Sequence, residues 1–241
     1  MTDIQILPID FYVLVACEES QRVCTEFRKR GFKAFSCDIQ EPSGGHPEWH
    51  IMQDVLPLLN GRCSFKTMDG IEHSIDGKWD LIIAHPPCTY LSNVATKHHS
   101  LKCSTLEKIN SRTGKRIKAM EFFMEFANAD CEHIAIENPV GVMNTAYRKP
   151  DQTIQPYMFA ESAEDEENYV TKATCLWLKG LGTLKTNSLS KPCNSEIFGR
   201  YPSGKAKTWE EQVKRDRAKE RSKTFPGIAK AMAEQWGGLI K

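Results

Sequence analysis

Two apolar patterns alternate along the first half of the chain. "FYVLVAC" (11–17) is a continuous apolar run, the mark of a strand covered on both faces. "SQRVCTEFRKRG" (20–31) follows it with Val23 and Phe27 at helical spacing and Gly31 as a stop signal. "FKAFSCDI" (32–39) predicts a second strand ending in Asp38, and the turn-rich "QEPSGGHPEWH" (40–50) leads to a short apolar piece, "HIMQDVLPLL" (50–59). "WDLIIAH" (79–85) is a third strand. "TGKRIKAMEFFMEFANA" (113–129) is the strongest helix, with Ile117, Met120, Phe123, Met124 and Ala127 on one stripe. "EHIAIENP" (132–139) is a strand that runs into a proline. Strands alternating with helices predict an α/β fold, a Rossmann-like, mostly parallel sheet with helices on both faces. Beyond residue 140 the pattern weakens. Residues 150–170 read as loop with an acidic tip at Glu164 to Glu167, "TKATCLWLKGL" (171–181) as a strand, and "FPGIAKAMAEQWGGLI" (225–240) as a helix with proline near its first turn.

The 241 residues are 40% hydrophobic and 26% charged, ordinary for a globular chain. No run approaches the roughly 18 apolar residues of a membrane helix. The N-terminus has no basic start leading into an apolar stretch, so neither membrane nor export is expected and the location is cytoplasmic. Nine scattered cysteines without a CxxC pair then read as reduced thiols. His46 and His50 could meet on a helix, but Pro47 favours a loop, and no metal site is expected. Charge changes the picture more. Residues 179–223 hold twelve Lys/Arg against five Asp/Glu, a net +7, which leaves −6 for the rest of a chain totalling +1. A basic segment on an acidic body fits a polyanion, nucleic acid first, or a solvated helix with surface pairs. The expected organisation is a catalytic domain at 1–178, a small basic segment at 179–223 and a helix at 224–241 packing back on the domain.

In open parallel sheets ligands bind beyond the carboxyl ends of the strands. Those ends carry Ala16, Cys17, Glu18 and Glu19 after the first strand, Asp38 after the second and Asp54 in "QDV". They also carry His85, Pro87 and Cys88 in "HPPC", and Glu137 and Asn138 in "ENP". Carboxylates and one thiol thus converge on one rim. Pro86 and Pro87 fix two φ angles and restrict the residues before them, so the corner aims Cys88.

This order of motifs resembles cytosine-C5 DNA methyltransferases, more closely the compact phage and prophage cytosine methylase-like proteins. The resemblance covers residues 11–140 well and 170–180 and 224–238 loosely, and it rests most on "PPC" and "ENP" separated by 49 residues. It implies the sheet of class I S-adenosylmethionine-dependent methyltransferases, S-adenosyl-L-methionine as cofactor, DNA as partner and a bacterial host cell as location. Cys88 would be the nucleophile and Glu137 the acid. Ala16, Cys17, Glu18, Glu19, Asp38, Asp54 and His85 would lie at the cofactor. Pro87, Asn138, Lys172, Lys205, Lys207, Arg215 and Arg217 would lie at the substrate, with Trp209 or Tyr201 stacking on a base or, for Trp209, anchoring the segment. Those residue types suit the chemistry. A thiolate added to carbon 6 makes carbon 5 nucleophilic, and a carboxyl near N3 offsets the charge that develops.

Two alternatives stay open. "HPPC" is similar to the (Asp/Asn)-Pro-Pro-aromatic corner of amino-methyltransferases, with His85 and Cys88 in place of the amide or acid and the aromatic. The first loop, "ACEESQRV", has no glycine, which fits a DNA-binding relative that no longer methylates. The short basic segment leaves room for a partner subunit in target recognition.

Overall fold

The computed structural model of the protein describes residues 9–93 and 100–239. In chain order the elements are β1 (Ile9–Ala16), α1 (Arg22–Lys29), β2 (Phe32–Asp38), β3 (His50–Met52), β4 (Cys63–Lys66), β5 (Glu72–Ile75), β6 (Leu81–Ala84) and α2 (Leu106–Asn128). Then come β7 (Ile134–Pro139), α3 (Met143–Ala146), β8 (Gln152–Ile154), β9 (Thr174–Lys179), α4 (Asn194–Ile197), α5 (Trp209–Gln212), α6 (Arg217–Ser222) and α7 (Pro226–Trp236). Seven strands form one sheet in the order β3-β2-β1-β6-β7-β9-β8, and β4 and β5 pair as a separate antiparallel hairpin. β3, β2, β1, β6 and β7 pair in parallel, whereas β9 is antiparallel to both its neighbours. The α/β class with a mostly parallel sheet, compatible with a Rossmann-like fold, is the one the periodicity predicts.

Strict alternation builds the two layers. Val13, Val15, Leu81, Ile83, Ala135 and Leu176 face a core closed by α1 and α7. Their strand neighbours Leu14, Ala16, Ile82, Ala84, Ile136 and Trp177 face a second core closed by α2 and the hairpin. A strand buried on both faces must be apolar at every position, which is why these runs carry no alternation in sequence. Chain order grows outward through β2 and β3 on one side of β1 and through β6 and β7 on the other, so it reverses between β1 and β6. Such a switch point opens a crevice at the carboxyl ends.

Three differences from the sequence reading have local causes. α2 begins seven residues earlier than the helix predicted at 113–129, because Thr105 caps it by accepting the Lys108 amide. The stretch read as loop holds β8, a three-residue strand too short to show a period. The β4–β5 hairpin follows no apolar stripe, although Asp69-Gly70 at its tip is a turn signal. The basic stretch packs on the body: Leu184 is buried with α1 and α7, and the Trp209 ring meets Phe225 at 4.9 Å. Ile240, in the segment read as the last helix, lies outside the described residues.

Candidate functional site

The sheet register brings the site together at the switch point. Ala16 pairs with Cys37 and Ala84, and Ala84 with Ile136. One step further along the strands, the same level reads Asp38, Cys17, His85 and Glu137 across the rim. The His85 amide extends the ladder by donating to Ala16 O at 2.9 Å.

On the α1/α7 side, His85 Nδ1 lies 3.0 Å from Glu137 Oε2. The same oxygen accepts from Thr224 Oγ1 at 3.4 Å, while Oε1 has no hydrogen bond among the described residues. Lys172 Nζ donates to Arg221 O at 2.6 Å and lies close to the Trp209 and Phe225 rings. Burial opposes charge on both members of the His85–Glu137 pair. The hydrogen bond between them, their mutual attraction and the nearby Glu18 nevertheless hold His85 above its ordinary value. The same bond, the His85 charge, Lys172 and Thr224 hold Glu137 below the usual carboxylate range. Both shifts favour the ion-paired form of this contact. His85 Nε2 is buried without a hydrogen-bond partner among the described residues.

Alternation sends the next residue the other way. Asn138, buried, donates from Nδ2 to Pro86 O at 2.6 Å and so fastens the Pro-Pro corner from below. Beyond the corner, Cys88 O accepts the Leu91 and Ser92 amides, a tight turn that leaves the thiol exposed. The turn is clamped again by a bridge between Ser92 and Gly141, with the Val142 amide on Leu91 O at 2.8 Å. A Cβ on Gly141 would stand 2.0 Å from Leu91 O, so only glycine allows this approach. Although Cys88 reaches solvent, the protein mass around it raises its thiol. Lys172 pulls against that and Glu137 adds to it, and the net is upward.

Beside the corner, a pocket of about 150 Å³ is lined by Cys17, Asp38, Ile39, Asp54, Val55 and Pro87, among others. Asp38 and Asp54 make its field negative. The buried Cys37 thiol is pushed up to about 12 by desolvation first and by those two carboxylates after it. Ile39, 77% exposed, offers a bare apolar face at the mouth. The glycine-free loop turns as a glycine loop would: Cys17 and Gln21 take left-handed φ values of 58° and 57°. Non-glycine residues hold that backbone at a cost of order 1–3 kcal/mol each, a strain typical of ligand sites.

The structure thus brings Cys88, Glu137, Asn138, Pro87 and Lys172 together, with Asp38, Asp54 and Cys17 around the adjoining pocket. Other expected contacts lie elsewhere. His85, expected at the cofactor, is bonded into the Glu137 cluster. Glu18 caps α1, its oxygens accepting the Val23 and Cys24 amides at 2.6 and 3.2 Å, because Gln21 at the cap position contributes no side-chain bond. Glu19 is buried against Lys219 at 3.3 Å, and Ala16 is buried within the ladder. Lys205 is paired with Glu211, Lys207 lies beside the Tyr201 ring, and Trp209 is held on Phe225; Arg215 and Arg217 are exposed. His50 bonds Ser36 and Gln40 while His46 stacks on Trp49, and no group of potential metal ligands occurs among the described residues. Thr224 and Gly141 are the residues the sequence reading missed. No signal singles out Thr224, whereas Gly141 follows "ENPV" at a turn and could have been marked as a close approach. Comparison with protein-family models and with curated proteins gives no match for this chain.

Proposed function

We propose that the protein is an S-adenosylmethionine-dependent methyltransferase acting on carbon 5 of cytosine in DNA. The observation that carries this reading is an exposed thiol on a doubly clamped corner, beside a buried carboxylate with one open oxygen and a negative pocket at the switch point. The reversal of strand order between β1 and β6, with one antiparallel strand at the far side, supports a sheet of the methyltransferase type. The pocket suits the cofactor: Asp38 and Asp54 can accept from ribose hydroxyls and an adenine amine, Ile39 and Val55 can flank the ring, and the negative field favours a sulfonium. When bound, S-adenosylmethionine supplies an electrophilic methyl group.

The chain's own residues would do the rest. Cys88 Sγ, deprotonated with help from the Lys172 charge, adds to carbon 6 as the 5,6 double bond opens toward the ring's N3. Glu137 would take up the His85 Nδ1 proton and, as the neutral acid, donate it to N3, leaving His85 neutral. Asn138 and Gly141 position the corner without touching the base. After carbon 5 has gained its new substituent, its proton would pass to solvent water, the 5,6 double bond would re-form as the bond from carbon 6 to Cys88 Sγ breaks, and N3 would return its proton to the Glu137–His85 pair. In duplex DNA the base would first leave the stack, at a cost of a few kcal/mol.

The test is covalent trapping on DNA containing 5-fluorocytosine with S-adenosylmethionine present. Fluorine at carbon 5 cannot leave as a proton does. The reading expects an adduct that survives denaturant and is absent in Cys88→Ala. A protein that binds both DNA and cofactor yet forms no adduct would turn the assignment to methylation of an exocyclic amine.

A further inference from the structure

α2 is built in two unlike halves. A helix of 23 residues is about 35 Å long, but its buried residues are Phe123 and Phe126, near its C-terminus. From Leu106 to Lys118 no residue is buried. That free half is strongly basic: residues 100–120 hold six Lys/Arg and one Glu. Lys108, Arg112 and Lys115 follow at spacings of four and three and share a face, with Arg116 beside them. Like charges at these spacings destabilise a helix, and a helical half without packing gains little from the core to offset them.

Among the described residues Lys102, Lys108, Arg112, Lys115, Arg116 and Lys118 make no salt bridge. Arg112 Nε and Arg116 Nη2 are buried without a hydrogen-bond partner among the described residues. Burial and then the Arg112 charge depress the Arg116 guanidinium. By contrast, Lys205, Lys219 and Lys223 in the late basic stretch all have carboxylate partners. The free half of α2 also reaches the reactive turn. Arg116 Nε donates to Tyr90 O at 3.0 Å, and the Arg112 and Lys115 charges stand 5.1 and 5.9 Å from the Tyr90 ring, two residues beyond Cys88. Between this face and residues 101–105 lies an open cleft of about 870 Å³.

We infer that this face of α2, centred on Lys108, Arg112 and Lys115, is a docking surface for the phosphodiester backbone of a nucleic acid strand. Phosphates would pair with the Lys108, Arg112 and Lys115 charges, and Tyr90 offers a ring on which a neighbouring base can stack. Because Arg116 is tied to the turn carrying the thiol, a strand held here is held next to Cys88. The inference rests on the reading of this rim as a nucleic-acid methylation site, and it places the main grip on α2, with the residues 179–223 secondary.

The test measures binding of the full chain to labelled single-stranded and duplex oligonucleotides of about 16 nucleotides across a salt series. The Lys108→Gln/Arg112→Gln/Lys115→Gln protein should lose about 2 units of the log–log salt slope on single strands and slightly more on duplex, at roughly 0.7 and 0.9 per lost contact. The charge-conserving Lys108→Arg/Arg112→Lys/Lys115→Arg protein should keep the wild-type slope, which separates lost contacts from lost structure. An unchanged slope in the Gln protein overturns the inference, as does wild-type protein that binds no oligonucleotide at low salt. Polyglutamate competing as well as the oligonucleotide, charge for charge, overturns it in favour of an acidic protein partner. A reduced slope in the Gln protein, with no 5-fluorocytosine adduct in wild type, leaves the docking surface standing and fails the carbon 5 chemistry alone.

Discussion

At Cys88 the Lys172 charge favours the thiolate against burial. Surrounding protein and Glu137 raise the thiol, and Lys172 opposes them. Lys172→Met keeps an unbranched side chain but removes the charge that stands 5.8 and 5.5 Å from the Trp209 and Phe225 rings. The pH midpoint for alkylation of Cys88 by iodoacetamide, above that of a free thiol in wild type, should then move higher still. An unmoved midpoint would detach Lys172 from the thiol's chemistry. Residues of this kind were partly legible in the sequence. Cys88, Glu137, Asp38 and Asp54 stand out because strand ends in a parallel sheet share one rim. Glu18 was not legible, since a carboxylate after a strand serves a ligand or a helix amide equally well until the position of the helix is known. His85 could have been placed by register, because it and Glu137 follow equivalent positions on neighbouring strands.

At the scale of elements, two motifs about 50 residues apart in the sequence act as one piece because Ser92 pairs with Gly141. Gly141→Ala forces backbone apart at Leu91 O and should cost about 1–3 kcal/mol, as overpacking does. Thermal melting reads that loss. The adduct rate should fall further than the stability loss accounts for, because the displaced turn carries the nucleophile. Equal behaviour of Gly141→Ala and wild type in both assays would show the turn to be fixed by the prolines alone. Elements were legible where burial was symmetrical: Val13 to Ala16 in β1, Leu81 to Ala84 in β6 and Ile134 to Ile136 in β7 are apolar because both their faces are covered. β8 and the early turns of α2 were not, the first because three residues carry no period, the second because a half-helix without a buried face has no apolar stripe.

For the whole molecule, the site's titrations couple to stability. Burial, with a smaller push from Glu137, takes the Glu18 carboxyl up to about 7 despite His85 and two amide bonds acting against it. A carboxyl raised on folding stabilises below its unfolded value and loses that contribution as pH rises through the folded one. His85, also raised, has the same sign, whereas Glu137, lowered, loses its contribution as pH falls below the usual carboxylate range. Between about pH 5 and about pH 8 the thermal midpoint should therefore fall, with Glu18 contributing on the order of 3 kcal/mol. In Glu18→Gln the decline should be visibly shallower; a decline as steep as wild type would remove Glu18 from the account. The closure of this site by Arg221 and Thr224 has a consequence in time. During synthesis the last sheet strand is complete at Lys179, but the carbonyl that holds Lys172 and the hydroxyl on Glu137 arrive about 45 residues later. At roughly 5–20 residues per second that is an interval of about 2–9 s. A nascent chain thus carries its thiol on a paired sheet before it can carry a closed site.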